Sequence, residues 1–251
     1  RGHGYEVLGI DVSSDSSLMA TCGGDKQPFL WDVTSGQVIR KFRGHDAKVN
    51  SISFGCEGDS VLVTGSYDRS VIIWDCKSKS IDPIQKLDDA KDSISCVLVD
   101  PPFLFSSSVD GFIRRYDVRM GLISCDFIGP PITWMSLTKD HSCILASTLD
   151  NTVRLFDRGS GDLLNEYRGH LNSKYKIESC LSYSDANVLS GSEDGRVLIW
   201  DLVEAKQIVD MKDDRHSLAS CCISYHPNSD DHFLTGGSDG LVFLWSSTPK
   251  Q

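Results

Sequence analysis

Hydrophobic and polar residues alternate with a period of two along most of the chain, in runs too short for helices. Residues 49–54 (VNSISF) are one such run, and two apolar runs follow at 61–64 and 71–74. A period of two places successive side chains on opposite faces of a strand. Turn pairs such as Asp110-Gly111 and Ser35-Gly36 separate the runs. The pattern predicts an all-β chain of short antiparallel strands joined by tight turns.

A repeat of 40 to 45 residues occurs six times along the chain. Each copy has an aspartate in a turn, and a large aromatic residue follows six positions later. The turn aspartates are Asp25, Asp68, Asp110, Asp150, Asp194 and Asp239, and the aromatic residues are Trp31, Trp74, Tyr116, Phe156, Trp200 and Trp245. A serine or threonine stands four positions before the aspartate in every copy except the fourth, which has Ala146. Repeats of this length with about four strands each predict a β-propeller, in which four-stranded sheets pack as blades.

Two dipeptides recur at fixed places in these repeats. Gly-His stands at 2–3, 44–45 and 169–170, and Trp-Asp stands at 31–32, 74–75 and 200–201. In both elements the sequence resembles the WD40-repeat family, over nearly its whole length. The resemblance implies a WD40 β-propeller that forms a single domain over 1–251. Stretches at 2–8, 31–45 and 114–121 are further similar to one branch of that family, the mitogen-activated protein kinase organisers.

The number of outer strands bears on the number of blades. In this family the outermost strand of a blade precedes the Gly-His element, and the chain has five such segments, near 38–42, 83–87, 122–127, 163–167 and 206–211. Six repeats thus share five outer strands. In this family, residues from the N-terminal end normally contribute the outer strand of the last blade. We expect a seven-bladed ring whose N-terminal blade is absent from this chain, because WD40 rings most often have seven blades. A closed ring of six blades is the alternative, and an open ring would expose strand edges.

Four repeats carry histidine, a hydroxyl residue, aspartate and tryptophan at matching positions. Such a set could suggest nucleophilic catalysis, but a catalytic triad needs one set in one cleft. The resemblance implies instead that these residues form the structural tetrads of the family, whose members satisfy one another's hydrogen bonds. The predicted tetrads are His3, Thr21, Asp25, Trp31; His45, Thr64, Asp68, Trp74; His170, Ser190, Asp194, Trp200; and His216, Thr235, Asp239, Trp245. No catalytic residue is predicted.

The third and fourth repeats lack the histidine. The acidic run 88–92 stands in its place in the third, and residues 129–131 (Gly-Pro-Pro) stand there in the fourth. We expect ordinary drift between repeats here, with a dedicated partner site as the alternative, because atypical repeats are common in such arrays. The third repeat also has Arg115 where the other five have an aliphatic residue. We expect Arg115, with Arg114 and Arg119, to mark a partner-binding surface, or else to be a rim arginine paired with an acid on the next blade.

The residue before the turn aspartate tends, in this family, to point to the face where partners dock. In this sequence the residue at that position is apolar in three consecutive repeats: Tyr67, Val109 and Leu149. We expect these three to form one patch, with Glu193 at its border. An apolar patch with an aromatic anchor is typical of a protein-binding hot spot. The alternative is scattered surface residues that need no explanation. Trp134, outside the repeated position, is either core or a further anchor.

Composition narrows the classes of function. The chain has 25 basic and 35 acidic residues, a net charge of −10, which argues against a general nucleic-acid or anionic-membrane surface. Its nine cysteines form no CxxC pair, so zinc ribbons are not expected, and free thiols in apolar runs indicate a reducing compartment. No apolar stretch approaches the roughly 20 residues of a membrane span. We expect a cytoplasmic and nuclear protein without metal, cofactor or small-molecule substrate.

These observations favour a non-enzymatic scaffold for protein–protein interaction. The resemblance to the kinase organisers implies kinase-cascade components and splicing factors as partners. Two alternatives remain: a reader of short modified peptides, and a propeller enzyme. Against an enzyme, the sequence contains no Walker loop, no HExxH motif and no dinucleotide fingerprint.

Overall fold

The computed structural model describes residues 2–55, 57–78, 80, 82–211 and 216–246, and most of them lie in antiparallel β-strands. The chain consists of two compact units, Arg1–Gly129 and Pro130–Gln251. Each unit holds three sheets, blades 1 to 3 in the first and blades 4 to 6 in the second. The predicted all-β fold of six propeller blades is confirmed. A single domain over 1–251 and a seventh blade stay predictions.

The first unit has three blades of four strands, each in sequential order. Blade 1 consists of β1 (Val7–Val12), β2 (Leu18–Gly23), β3 (Phe29–Asp32) and β4 (Gln37–Lys41). Blade 2 consists of β5 (Val49–Gly55), β6 (Val61–Ser66), β7 (Val71–Asp75) and β8 (Gln85–Leu87), with a 3-10 turn at Glu57–Asp59. Blade 3 consists of β9 (Ile94–Asp100), β10 (Phe103–Ser108), β11 (Phe112–Asp117) and β12 (Leu122–Phe127).

The second unit repeats this plan. Blade 4 consists of β13 (Ile132–Leu137), β14 (Cys143–Thr148), β15 (Thr152–Asp157) and β16 (Leu163–Arg168). Blade 5 consists of β17 (Ser179–Leu181), β18 (Asn187–Gly191), β19 (Val197–Asp201) and β20 (Gln207–Asp210). Blade 6 has three strands among the described residues: β21 (Ser220–Tyr225), β22 (His232–Gly237) and β23 (Val242–Ser246). The five predicted outer strands correspond to β4, β8, β12, β16 and β20.

Each blade has two ends with different loops. The turn aspartate lies between the second and third strands, at what we call the Asp end. Because neighbouring strands are antiparallel, the turns joining the first strand to the second and the third to the fourth lie at the opposite end, the far end. The Asp turn of blade 3 depends on Gly111, whose φ is +81°. A Cβ there would lie 2.5 Å from the carbonyl oxygen of Gly129, so glycine is required.

The core of each unit lies between neighbouring blades. In the first unit, apolar side chains of blades 1 and 2 form one cluster around Trp74, which is fully buried. A second cluster joins blades 2 and 3 through residues that include Val63, Ile94 and Leu104. In the second unit, Tyr167 and Trp200 belong to a cluster of blades 4 and 5. The middle blade of each unit, blade 2 or blade 5, therefore carries apolar side chains on both faces of its sheet, and the blades on either side of it cover them.

Candidate functional site

Three of the four predicted tetrads form with the expected hydrogen bonds. In blade 2, Nδ1 of His45 lies 2.9 Å from Asp68 Oδ2, and Nε2 lies 2.8 Å from Thr64 Oγ1. The indole of Trp74 donates to the same hydroxyl at 2.9 Å. The sets of blade 1 (His3, Thr21, Asp25, Trp31) and blade 6 (His216, Thr235, Asp239, Trp245) repeat these contacts at 2.6 to 3.0 Å.

The tetrad geometry fits a structural role. Each hydroxyl accepts from tryptophan and donates to Nε2 of the histidine, and Nδ1 of the histidine donates to the aspartate, so the indole, hydroxyl and imidazole groups are all paired. Thr64 is fully buried and inaccessible to a substrate. Burial raises the pKa of Asp68, but hydrogen bonds from His45 and Ser70 outweigh it and hold the pKa well below 3.8. The carboxylate is therefore ionised and fixed.

The predicted tetrad of blade 5 is wrong. His170 is 1% exposed, yet neither ring nitrogen has a hydrogen-bond partner among the described residues. Trp200 donates instead to the carbonyl oxygen of Arg168 at 3.0 Å, and Ser190 bonds to the carbonyl oxygen of Gly191. Burial lowers the pKa of His170 from 6.5 to about 4, so the ring is neutral at physiological pH.

Arg196 binds the aspartate that His170 would contact in a tetrad of blade 5. It stands two residues after the turn aspartate, and its Nε binds Asp194 Oδ2 at 2.6 Å. Blade 2 has Ser70 at this position. Two signals in the sequence mark the difference. The step from histidine to turn aspartate is 24 residues in blade 5 but 22 or 23 in the three formed tetrads, and those three all have threonine where blade 5 has Ser190.

Replacing Arg196 with serine is expected to free Asp194 for His170 and to raise the pKa of His170 above about 4. A hydrogen-bonded carboxylate favours the charged imidazole, and removal of a nearby cation acts in the same direction. An NMR titration of the His170 ring measures this pKa. Adding Asp194→Asn to Arg196→Ser separates the two causes, because only the carboxylate contribution disappears. An unchanged pKa in Arg196→Ser would contradict the explanation.

In blades 3 and 4, which lack the histidine, an arginine from another position of the repeat binds the turn aspartate. Arg114 and Arg154 each stand four residues after the turn aspartate, where the other blades have Phe29, Ile72, Leu198 and Phe243. Arg114 binds both oxygens of Asp110, at 3.2 and 2.6 Å. Arg154 binds both oxygens of Asp150, at 3.1 and 2.5 Å. The two blades that lack the histidine thus hold their turn aspartate with a guanidinium.

The prediction that Arg114 binds a partner is wrong, because its side chain is 4% exposed and committed to Asp110. Arg115 is half-buried, and its Nε donates to Ser124 Oγ at 3.1 Å. Its guanidinium lies 5.3 Å from the ring centroid of Phe103. Both contacts lie inside blade 3, and a role for Arg115 in partner binding stays a prediction.

Tyr67 is the most exposed member of the predicted apolar patch. It is 58% exposed at the Asp end of blade 2, and the ammonium of Lys48 lies 5.3 Å from its ring centroid. Val109 occupies the same position in blade 3 and is half-buried. The backbone N–H of each donates to the loop before the first strand of its own blade, at Lys48 and Ser93. The two residues therefore present equivalent surfaces of neighbouring blades.

Leu149, Glu193 and Trp134 lie in the second unit, and all three are half-buried. The Glu193 carboxylate accepts hydrogen bonds from the backbone N–H groups of Ser173, Lys174 and Tyr175 at 2.5 to 3.1 Å. Its predicted role in partner binding therefore competes with a structural one, since it fixes residues 173–175. The Trp134 ring lies 4.6 Å from the ammonium of Lys176.

The sequence analysis did not predict several other exposed apolar residues at the Asp end. Tyr5 is 70% exposed in the first unit, and Leu171, Tyr175 and Leu218 are 47 to 55% exposed in the second. Tyr5, Leu171 and Leu218 follow a tetrad-position histidine by one or two residues. Their position just after the histidine could have predicted their exposure, because the chain there leaves the tetrad and enters the loop.

Two features are absent from the described part of the chain. It holds no group of three or more histidine, cysteine, aspartate or glutamate side chains arranged to bind a metal ion. Nor does it contain a helix with the length and apolar character that a membrane crossing requires.

Comparison with known proteins agrees with the repeat pattern. The family model described as WD domain, G-beta repeat, matches residues 1–32, 36–75, 81–117, 161–201 and 212–246. The first three strands of blade 4, which lacks the histidine, lie outside these ranges.

Similar full-length proteins carry the same family name. The chain is 48% identical over 291 residues to WD repeat domain-containing protein 83 of Rattus norvegicus, covering 95% of this chain and 88% of the relative. The human protein of that name is 47% identical over 281 residues, with the same coverage. The homologue from Dictyostelium discoideum is 35% identical over 275 residues, covering 98% of this chain and 83% of the relative. The chain therefore belongs to the WD40-repeat family, whose β-propellers generally serve as non-enzymatic platforms for protein–protein interaction.

Proposed function

We propose that this protein is a non-enzymatic scaffold that holds partner proteins on the Asp ends of its blades. The observation that carries the proposal is Tyr67, a 58% exposed aromatic residue on a rigid turn beside Lys48. Exposed tyrosines supply large contact area with little loss of conformational entropy, and they are enriched in binding hot spots. Tyr5, on the neighbouring blade of the same unit, adds a second.

The tetrads and the Arg–Asp pairs support this function by fixing the Asp ends. Asp68 accepts the backbone N–H of Asp46 at 2.9 Å, and Asp110 accepts that of Lys91 at 2.9 Å. Asp68 and Asp110 thus tie their own turns to the loop before the first strand of the blade. A surface held this way is organised before a partner arrives, which lowers the entropic cost of binding.

For the partners, we propose kinase-cascade components and splicing factors, met in the cytoplasm and the nucleus. The resemblance to the mitogen-activated protein kinase organisers supports this choice. The relatives' printed names identify WD repeats and no partner, and fold alone does not fix a partner.

Affinity purification of the tagged chain from cell extract, with mass spectrometry, tests the proposal. We expect Tyr67→Ala to lose identified kinase-cascade or splicing proteins that the wild type retains. Truncating an aromatic hot spot typically costs at least about 2 kcal/mol, or roughly 30-fold in affinity.

Tyr183→Ala is the matched control, because it makes the same change at the far end of blade 5. Both variants must keep the melting temperature of the wild type. The proposal fails if Tyr67→Ala keeps every partner, or if the wild type binds no protein of either class. A measurable catalytic activity of the purified chain would overturn the non-enzymatic reading.

A further inference from the structure

The far end of the first unit contains a cavity of about 500 Å³ between blades 2 and 3. Its walls include Val99, Pro101, Pro102, Phe103 and Val118. The turn at 101–102 joins β9 to β10, and Val118 lies in the turn from β11 to β12. Both turns are at the end of blade 3 opposite to Val109. This cavity is therefore separate from the surface around Tyr67.

The apolar surface continues outside the cavity along the turn into β12. Val118, Met120 and Leu122 are 59, 70 and 62% exposed. An exposed apolar patch beside an apolar cavity is typical of a binding surface. Size is also appropriate, since a volume of about 500 Å³ accommodates one or two large side chains.

Arg119 is the one charged residue that lines this cavity among the residues the structure describes, and Ser60 adds a hydroxyl. The side chain of Arg119 is exposed, and its guanidinium has no ion pair within the described chain. The nearest acid in sequence, Asp117, is occupied otherwise, because its Oδ1 accepts the backbone N–H groups of Arg119 and Met120, each at 3.0 Å. A guanidinium without a carboxylate, in a chain of net charge −10, is available for a carboxylate from outside.

We propose that this cavity docks an extended segment of a partner protein in which a carboxylate pairs with Arg119 and a neighbouring large apolar side chain enters between Pro102 and Val118. The prolines and the capped turn hold the walls in place before binding, which favours a short segment. The charge of Arg119 selects acidic segments and rejects basic ones. This inference rests on the scaffold function proposed above and adds a second surface with a defined partner chemistry.

An array of ten-residue peptides tests the site with the full chain as the labelled probe. One set carries Asp or Glu next to Leu or Phe, and matched sets carry Gln or Lys in place of the acid. We expect the wild type to bind the acidic set, and Arg119→Glu to reduce that binding about tenfold or more. Arg119→Glu should also gain binding to the lysine set. Val118→Ser should weaken binding of the acidic set.

Arg43→Glu is the control, because it makes the same charge change at another exposed arginine of the first unit. Tyr67→Ala should bind the array like the wild type, so failure of this site and failure of the Asp-end surface are distinguishable. Equal binding of the acidic and glutamine sets, or unchanged binding by Arg119→Glu, would overturn the proposal. So would a dimer in analytical ultracentrifugation that Arg119→Glu abolishes, since the occupant would then be a second copy.

Discussion

Replacing His45 with leucine is expected to lower the free energy of unfolding by about 3 to 5 kcal/mol, whereas the same replacement at His170 is expected to leave it unchanged or raise it. At His45 the change removes one hydrogen-bond partner from the buried Thr64 hydroxyl and one from the ionised Asp68 carboxylate. At His170 it removes two buried ring nitrogens that have no partner in the described chain. Only the first of these two equivalent positions in the repeat is therefore expected to lose stability.

Urea unfolding at neutral pH measures both changes. His216→Leu is the control, since His216 contacts Asp239 and Thr235 as His45 contacts its own tetrad. It should behave like His45→Leu. Acid provides a second check on His170, because its pKa of about 4 lies below the unfolded value of 6.5. The unfolded chain then binds the extra proton first, so wild-type stability falls between pH 6.5 and 4, and His170→Leu should lack that loss. Equal destabilisation by His45→Leu and His170→Leu would contradict the account.

The sequence predicts the blades well because their signal is local and repeated. Alternation places the strands, and the fixed step from turn aspartate to aromatic residue places each third strand. The outer strands are the segments that precede each Gly-His position, and β12 (Leu122–Phe127) has the predicted bounds. Grouping into two compact units depends on packing between sheets, which no local pattern records.

The site was predictable where residue identity alone decides the contact. Three tetrads form as predicted, but in blade 5 one nearby side chain, Arg196, takes the carboxylate of Asp194. A motif match does not include this competition between donors. The prediction for Arg114 was wrong because it rested on charge and overlooked the position of this residue in the repeat. Its charge suggested a surface role, whereas its place four residues after Asp110 puts it inside the blade.

Replacing Arg114 with isoleucine, the residue at the equivalent position of blade 2, is expected to cost about 3 to 5 kcal/mol of folding free energy. The side chains of Arg114 and Asp110 are 4 and 8% exposed, so removal of the cation leaves a buried carboxylate without its counterion. Arg154→Ile should cost less, because the side chain of Asp150 is 35% exposed and water screens its charge. Thermal and urea unfolding of the two variants measure this difference.

The pH dependence identifies the interaction. Burial acts to raise the pKa of Asp110, but hydrogen bonds from Arg114 and from the backbone N–H groups of Lys91 and Phe112 hold it below 3.8. The pair therefore stabilises the fold fully above about pH 4 and loses its effect as the pH falls through the folded pKa. The difference in stability between the wild type and Arg114→Ile should shrink over that range. Asp110→Asn added to Arg114→Ile should recover most of the loss, because asparagine keeps an acceptor for the turn without a buried charge. A loss below about 1 kcal/mol in the single variant would show instead that the aspartate is held without Arg114, as an exposed pair would be.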